Sequence, residues 1–332
     1  RLCPSTPRFR SGSNPIQDIF SRINSRFEQI AKEKPKKLQD TKWLKENVAF
    51  TGELMLGHLR YGTYGKNNIE YCHPILRQNN WMSRNLVLAG NFNLTNVDEL
   101  FQQLIEIGQH PKEKSDTVTI IEKIGHFLDE ENTRLYQKYK QEGKSREEIS
   151  KCIAKNIDIQ RILIDSCKKW DGGYVIAGML GHGDAFVLRD PSGIRPAYYY
   201  HDDEILVATS ERPAIQTAFN VPQESIQEIT PGYALTIKKT GEIREVEVRE
   251  PLEKKACSFE RIYFSRGTDI DIYKERKELG RLVCETILKA INYDVQNSVF
   301  SFIPNTAETA FYGMIKGIES YLNEVKKNKI IK

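Results

Sequence analysis

Gly57-His58-Leu59-Arg60-Tyr61-Gly62-Thr63, read together with Ala89-Gly90-Asn91-Phe92-Asn93-Leu94-Thr95-Asn96, is the stretch that decides the fold. Leu54, Leu56 and His58 alternate with Glu53, Met55 and Gly57, which predicts a half-buried strand running into a polar, glycine-containing turn. Asn85 to Ala89 predicts a second strand that ends at Gly90-Asn91. A helix follows, with Asn96 as its cap, Glu99 at the capping-box position, a stripe of Leu100, Leu104 and Ile107, and Gly108 as its stop. Two loops thus meet their strand ends close to polar residues.

Outward from this stretch, Ile120, Ile121, Ile124, Phe127 and Leu128 recur at helical spacing and open a mainly helical region over residues 117–168. From Gly172 the pattern changes to strands: 173–180, the turn Gly181-His182-Gly183-Asp184, 185–189, 197–200, 204–208, and 234–248 folded at Lys239-Thr240-Gly241. These hairpins predict antiparallel sheet. After Pro251 a long helix is expected from about Ile272 to Tyr293, then an apolar strand Val299 to Ile303 and a helix from about Thr306 to Lys327, the opening of a parallel α/β unit. One such unit cannot cover both faces of its sheet, so the second domain is expected to be incomplete. No internal repeat is present.

The 332 residues allow two domains, and 28% charged with 39% hydrophobic residues is ordinary globular composition. No apolar run approaches the roughly 18 residues of a membrane span and no secretory signal opens the sequence, so a cytoplasmic location and no membrane partner are expected. Cys3, Cys72, Cys152, Cys167, Cys257 and Cys284 lack the spacing of a zinc site or disulfide framework and read as mostly buried thiols. Residues 1–47 hold 11 Lys and Arg against 5 Asp and Glu within a net charge of +4. Without interleaved aromatics this basic end reads as a solvated face, not a nucleic-acid site.

The two opening motifs resemble the glutamine-binding half of the class II glutamine amidotransferases, whose nucleophile is an N-terminal cysteine. Hydrolysing a glutamine amide needs a nucleophile, donors for the oxyanion and clamps on the two charged ends of the amino acid. The resemblance implies that Arg60 forks onto the α-carboxylate with Tyr61 and Thr63 beside it, that Asn91 and the backbone N–H of Phe92 form the oxyanion hole, and that Asp116 binds the α-ammonium. Read singly, Arg60 is a surface cation, Asp116 a helix cap, and Asn91 and Asn93 turn residues. Gly62 stands where the family commonly has Ser, His73-Pro74 where it has Gln-Pro, and Phe92 where it has Gly; a loop needing positive φ would strain Phe92. Cys3, followed by proline and not at the terminus, does not match the family nucleophile, so the chain by itself is expected not to hydrolyse glutamine.

The family fold implies an α+β protein: an N-terminal-nucleophile αββα sandwich over 1–250, truncated at its start and carrying the 117–168 helical insertion. Trp170 to Tyr174, Arg189 to Pro196, Ala208 to Glu211 and Pro231-Gly232 resemble other motifs of that domain and are expected to hold the sheets together. Cys257 to Arg266, with Asp271, Tyr273, Arg276 and Gly280, resembles the linker into a type I phosphoribosyltransferase domain, which makes 251–332 the linker and truncated first part of that domain. The resemblance then implies glutamine-dependent formation of phosphoribosylamine from phosphoribosyl pyrophosphate, the opening step of de novo purine synthesis. Its partners would be those two substrates, with purine nucleotides as inhibitors and a homo-oligomeric assembly. Mg2+ would accompany the pyrophosphate at a site outside this chain. Some members carry an iron–sulfur cluster with a ligand near Cys257, though a buried thiol accounts for that residue too. The rivals are another class II amidotransferase and a non-catalytic glutamine-binding subunit.

Overall fold

Asn14 caps the first helix, α1 (Pro15–Glu33), by accepting the N–H of Gln17, and Asp40 does the same for Trp43 at the start of α2 (Thr41–Asn47). These belong to a computed structural model that describes residues 14–59, 72–111 and 114–331. The short strand β1 (Ile75–Arg77) and the long strand β2 (Leu86–Leu94) follow, then α3 (Val97–Glu106). Three helices come next, α4 (Asp116–Gln141), α5 (Arg146–Asn156) and α6 (Ile159–Cys167), within the region expected to be helical. Ser115 caps α4, and a reciprocal Ser145–Glu148 capping box starts α5. The strands β3 (Gly172–Leu180) and β4 (Ala185–Arg189) pair across the Gly181–Asp184 turn.

Farther along lie β5 (Tyr198–His201), β6 (Leu206–Thr209), α7 (Arg212–Phe219), β7 (Gln227–Glu228), β8 (Tyr233–Ile237) and β9 (Ile243–Glu247), and then the long helices α8 (Ile270–Ala290) and α9 (Glu308–Ile331). Two compact units result, one within Arg1–Ile194 and Ile229–Lys254, the other within Arg195–Glu228 and Lys255–Lys332. The chain passes into the second unit a few residues beyond the expected boundary at 250. Nothing in the composition announces that 195–228 goes with the second unit.

The first unit is built on a six-stranded antiparallel sheet, ordered β1-β2-β3-β4-β8-β9. Strand alternation sorts its residues onto two faces. Leu86, Leu88, Tyr174, Ile176, Phe186 and Leu188 face one way, into a core shared with Leu100 of α3, Ile120, Ile124 and Leu128 of α4, Ile153 of α5 and Leu163 of α6. On the other face Val87, Met179 and Ala185 form a smaller cluster with Leu56, Leu76 and Ile237. Arg77 ties β1 to α4 through Glu122 at 3.2 Å and Asp129 at 2.7 Å.

In the second unit, β6-β5-β7 make a three-stranded antiparallel sheet. Helices α8 and α9 share a small core of Cys284, Leu288, Met314 and Ile318. A Cβ added at Gly280 would lie 1.7 Å from the carbonyl oxygen of Ala310, and one at Gly313 would lie 1.8 Å from that of Lys277, so the helix backbones touch where only glycine fits. Asp269 caps α8 and receives both a bidentate pair and further charge neutralisation from Arg212, which also reaches Asp271 at 2.6 Å.

Four expectations need correction. Residues 54–58 pair with no strand among the described residues: Leu56 packs on the sheet instead, and an alternating pattern without a ladder partner stays irregular. The second strand does not end at Gly90-Asn91 but continues to Leu94, because β3 pairs with it along its whole length, Asn91 opposite Val175 and Phe92 opposite Tyr174. Residues 299–303 are not a strand; Val299 is 97% and Ile303 84% exposed, and no described strand lies beside them to supply a ladder. Of the cysteines, Cys167 and Cys284 are buried, whereas Cys72, Cys152 and Cys257 are only half-buried.

Candidate active site

The register of β1 on β2 generates the site. Ile75 pairs with Leu88, so the ladder runs toward His73 opposite Gly90, and there Pro74 has no N–H to contribute. The imidazole of His73 takes the place of a ladder acceptor: Gly90 N–H donates to its Nδ1 at 3.3 Å. Gly90 itself is required by the close approach of β3, since a Cβ there would stand 2.4 Å from the carbonyl oxygen of Val175. The His73 ring stacks on Phe92, centroids 5.4 Å apart, and meets the ring of His58 at 4.7 Å.

On its other side His73 reaches α4. Its Nε2 lies 3.4 Å from Thr117 Oγ1, and Thr117 Oγ1 lies 3.4 Å from Asp116 Oδ1. An imidazole that accepts at Nδ1 carries its proton on Nε2 and donates there, so the polar groups run in one direction from Gly90 N–H to the Asp116 carboxylate. Asp116 is not the helix cap, a role taken by Ser115, whose Oγ accepts from Val118 N–H at 3.2 Å. Asp116 instead occupies the first turn of α4, where the helix N-terminus favours negative charge, and accepts the N–H of Thr117 at 2.7 Å.

Of the residues singled out in the sequence, the structure therefore brings Phe92 and Asp116 to the two sides of one imidazole. Phe92 is half-buried on the helix-covered face and is absent from the described non-glycine residues with positive φ, so the strained conformation considered for it does not occur. Asn91, its neighbour along an extended strand, is exposed on the opposite face. Arg60, Tyr61 and Thr63 lie outside the described residues.

The remaining motifs spend their polar groups on the scaffold. Asp190 accepts from the N–H of Ser192 at 3.1 Å and of Ile194 at 2.9 Å, and the buried Arg189 donates to the carbonyls of Ile229 and Gly193. Burial pushes the Cys167 thiol up to about 12 and raises the Tyr174 phenol, so Cys167 is a packed thiol and not a nucleophile near neutral pH. Asp184, on the β3–β4 turn, was missed by sequence reasoning. Burial works against its charge, but the His182 imidazole 3.1 Å away, the Lys238 ammonium at 2.8 Å and Lys239 N–H at 2.9 Å hold its carboxyl down at about 2. Among the described residues no group of three or more His, Cys, Asp or Glu side chains is placed to hold a metal ion.

No protein-family model matches the chain. Curated relatives do: the amidophosphoribosyltransferase of Archaeoglobus fulgidus is 27% identical over 266 residues, which cover 79% of this chain and 50% of that protein. The corresponding enzyme of Bacillus subtilis is 26% identical over 290 residues, covering 84% and 52%. The chain is similar to amidophosphoribosyltransferases. It spans about half the length of these relatives. Among solved structures, the glutamine phosphoribosylpyrophosphate amidotransferase of B. subtilis in complex with ADP and GMP superposes with a TM-score of 0.54 at 25% identity, over 79% of this chain and 49% of that one. A structure described as the allosteric regulatory enzyme of purine biosynthesis gives 0.55 at 25% identity, with the same coverage. The likeness to these amidotransferases extends to the mixed helical and antiparallel-sheet architecture.

Proposed function

We propose that this chain is the glutamine-handling portion, with the adjoining segment, of an amidophosphoribosyltransferase. The carrying observation is the placement of His73 between Gly90, next to the proposed oxyanion donors, and Thr117, next to the proposed ammonium clamp. Two motifs separated along the chain thus lie one side chain apart, on a scaffold similar to those of known amidotransferases.

In this reading the N-terminal-nucleophile sandwich over residues 1–250 takes in the first unit and also 195–228, which cluster with the second, and residues 251–332 lead into a type I phosphoribosyltransferase domain. Asp116 holds the α-ammonium of glutamine at the α4 terminus, and Arg60, with Tyr61 and Thr63, holds the α-carboxylate. The Phe92 N–H receives the negative charge that develops on the amide oxygen as a thiolate attacks, whereas the Asn91 side chain, on the opposite face of β2, does not share the side of Asp116. The amide C–N bond breaks to release ammonia and leave a thioester, water hydrolyses the thioester to glutamate and the free thiol, and ammonia displaces pyrophosphate from phosphoribosyl pyrophosphate to give phosphoribosylamine. Magnesium accompanies the pyrophosphate in the family, but the described residues offer neither it nor an iron–sulfur cluster a ligand group, and no step is assigned to either. Purine nucleotides as regulators, a homo-oligomer and a cytoplasmic setting complete the proposal. No described helix is long and apolar enough to cross a membrane.

Calorimetric titration of the full chain with glutamine tests the reading. Saturable binding is expected, weakened at least about tenfold by Arg60→Ala and by Asp116→Asn, since a charge-assisted hydrogen bond contributes roughly 1.5–3 kcal/mol. Binding that both variants leave unchanged, or no binding by the parent chain, overturns it.

A further inference from the structure

Gly90 N–H, His73, Thr117 Oγ1 and the Asp116 carboxylate form a directional series whose middle member is titratable. The series joins two elements that are otherwise distant in sequence, the open end of β2 and the first turn of α4. Its direction depends on one proton. Neutral His73 accepts from Gly90 at Nδ1 and donates to Thr117 from Nε2, whereas an imidazolium carries N–H on both nitrogens and confronts the Gly90 N–H with a second donor. We infer that His73 is a positioning residue that ties the Gly90–Phe92 segment to the Asp116 end of α4 when neutral and loses its hydrogen bond to the Gly90 N–H when protonated.

The inference rests on the glutamine reading for its catalytic meaning: His73 would set the spacing between oxyanion donors and ammonium clamp without touching the reacting atoms. Glutamine capture would then weaken toward acid pH. Among the described residues, other titratable groups beside the ring are His58, whose ring is tilted 47° to it, Asp116 on α4, and Cys72 next to it in the chain. From β2 the ring meets Gly90 and Phe92, neither of which titrates.

Glutamine is a suitable replacement for the test, because its amide oxygen can accept from Gly90 and its NH2 can donate to Thr117, yet it gains no proton in the working range. The full chain labelled with 15N-glycine reports the Gly90 amide directly. In the parent, the Gly90 protection factor, corrected for intrinsic exchange, is expected to fall about tenfold from pH 8 to pH 5, the loss of roughly one hydrogen bond. His73→Gln should keep protection at both pH values, His73→Ala should lack it at both, and His58→Gln should retain the parent's pH dependence. Glutamine titrations of the same samples should follow Gly90 protection. Protection that is pH-independent in the parent, or equal in the parent and His73→Ala, overturns the inference whether or not glutamine binds. The expected Gly90 pattern in a chain that binds no glutamine supports the link and overturns the glutamine reading instead.

Discussion

Asp184 shows how much a single buried carboxylate can hang on its neighbours. It is 2% exposed, lies 3.1 Å from the His182 imidazole and takes hydrogen bonds from Lys238 and the backbone of Lys239, with Lys238 also donating to the Ile157 carbonyl that follows α5. Its carboxyl titrates at about 2 in the fold against 3.8 ordinarily. A depressed carboxylate contributes stability that is present above the unfolded value and lost as pH falls through the folded one, so about 2 kcal/mol should disappear between roughly pH 4 and pH 2. Asp184→Asn should cost about 2–3 kcal/mol at neutral pH, because it strands Lys238, and should flatten that acid limb. Urea midpoints across the pH range measure both, and an unchanged acid limb in the variant would show that other carboxylates govern it. Asp116 and Phe92 were singled out in the sequence through the family resemblance of their motifs, and the structure brings both to His73. His182, Asp184 and Lys238 were not, since a Gly-His-Gly-Asp turn and a distant lysine carry no mark of meeting until β4 pairs with β8.

At the scale of elements, periodicity was informative wherever one face met a core and misleading where it did not. The helical spacing after residue 117 and the hairpins after Gly172 correspond to α4–α6 and to β3, β4, β8 and β9 of the sheet unit. The apolar run at 299–303 reads as a strand from composition alone, but a strand exists only through its ladder, and sequence does not supply the neighbour. Asn91 was likewise expected at a strand end, and the pairing of β2 with β3 carries the strand past it. The α8–α9 crossing depends on a feature that propensity would discourage. Gly280 and Gly313 each weaken their helix by about 1 kcal/mol relative to alanine, yet both stand where a Cβ would collide with the facing backbone. Gly280→Ala and Gly313→Ala should therefore destabilise the α8–α9 pair by about 1–3 kcal/mol despite the better helix former, through overpacking. Hydrogen exchange of the two helices reads this locally, and slower exchange in either variant would mean that the helices can separate without loss.

For the molecule as a whole, the two units differ in what they bury. The helix-covered face of the six-stranded sheet encloses a continuous core from Leu86 through Leu188, reached by α3 to α6, whereas α8 and α9 enclose Cys284, Leu288, Met314 and Ile318 and leave Leu282, Val283 and Leu322 substantially exposed. Each large side chain fully buried contributes roughly 1.5–3 kcal/mol, against an ordering cost of about 1–2 kcal/mol for every residue. Two helices of 21 and 24 residues, resting on a core of four buried side chains with partly buried ones such as Ile287, Phe311 and Ile315 packed around it, have less to set against that cost than the sheet unit does. Local opening should then begin in α8 and α9. In hydrogen exchange followed by mass spectrometry at rising urea, peptides from residues 270–331 should lose protection at lower denaturant than peptides from β2, β3 and β4. Simultaneous loss would show that the helix pair draws its stability from the rest of the chain and not from its own core, and the exposed side chains of α8 and α9 would then have to be satisfied by contacts that the four-residue core does not represent.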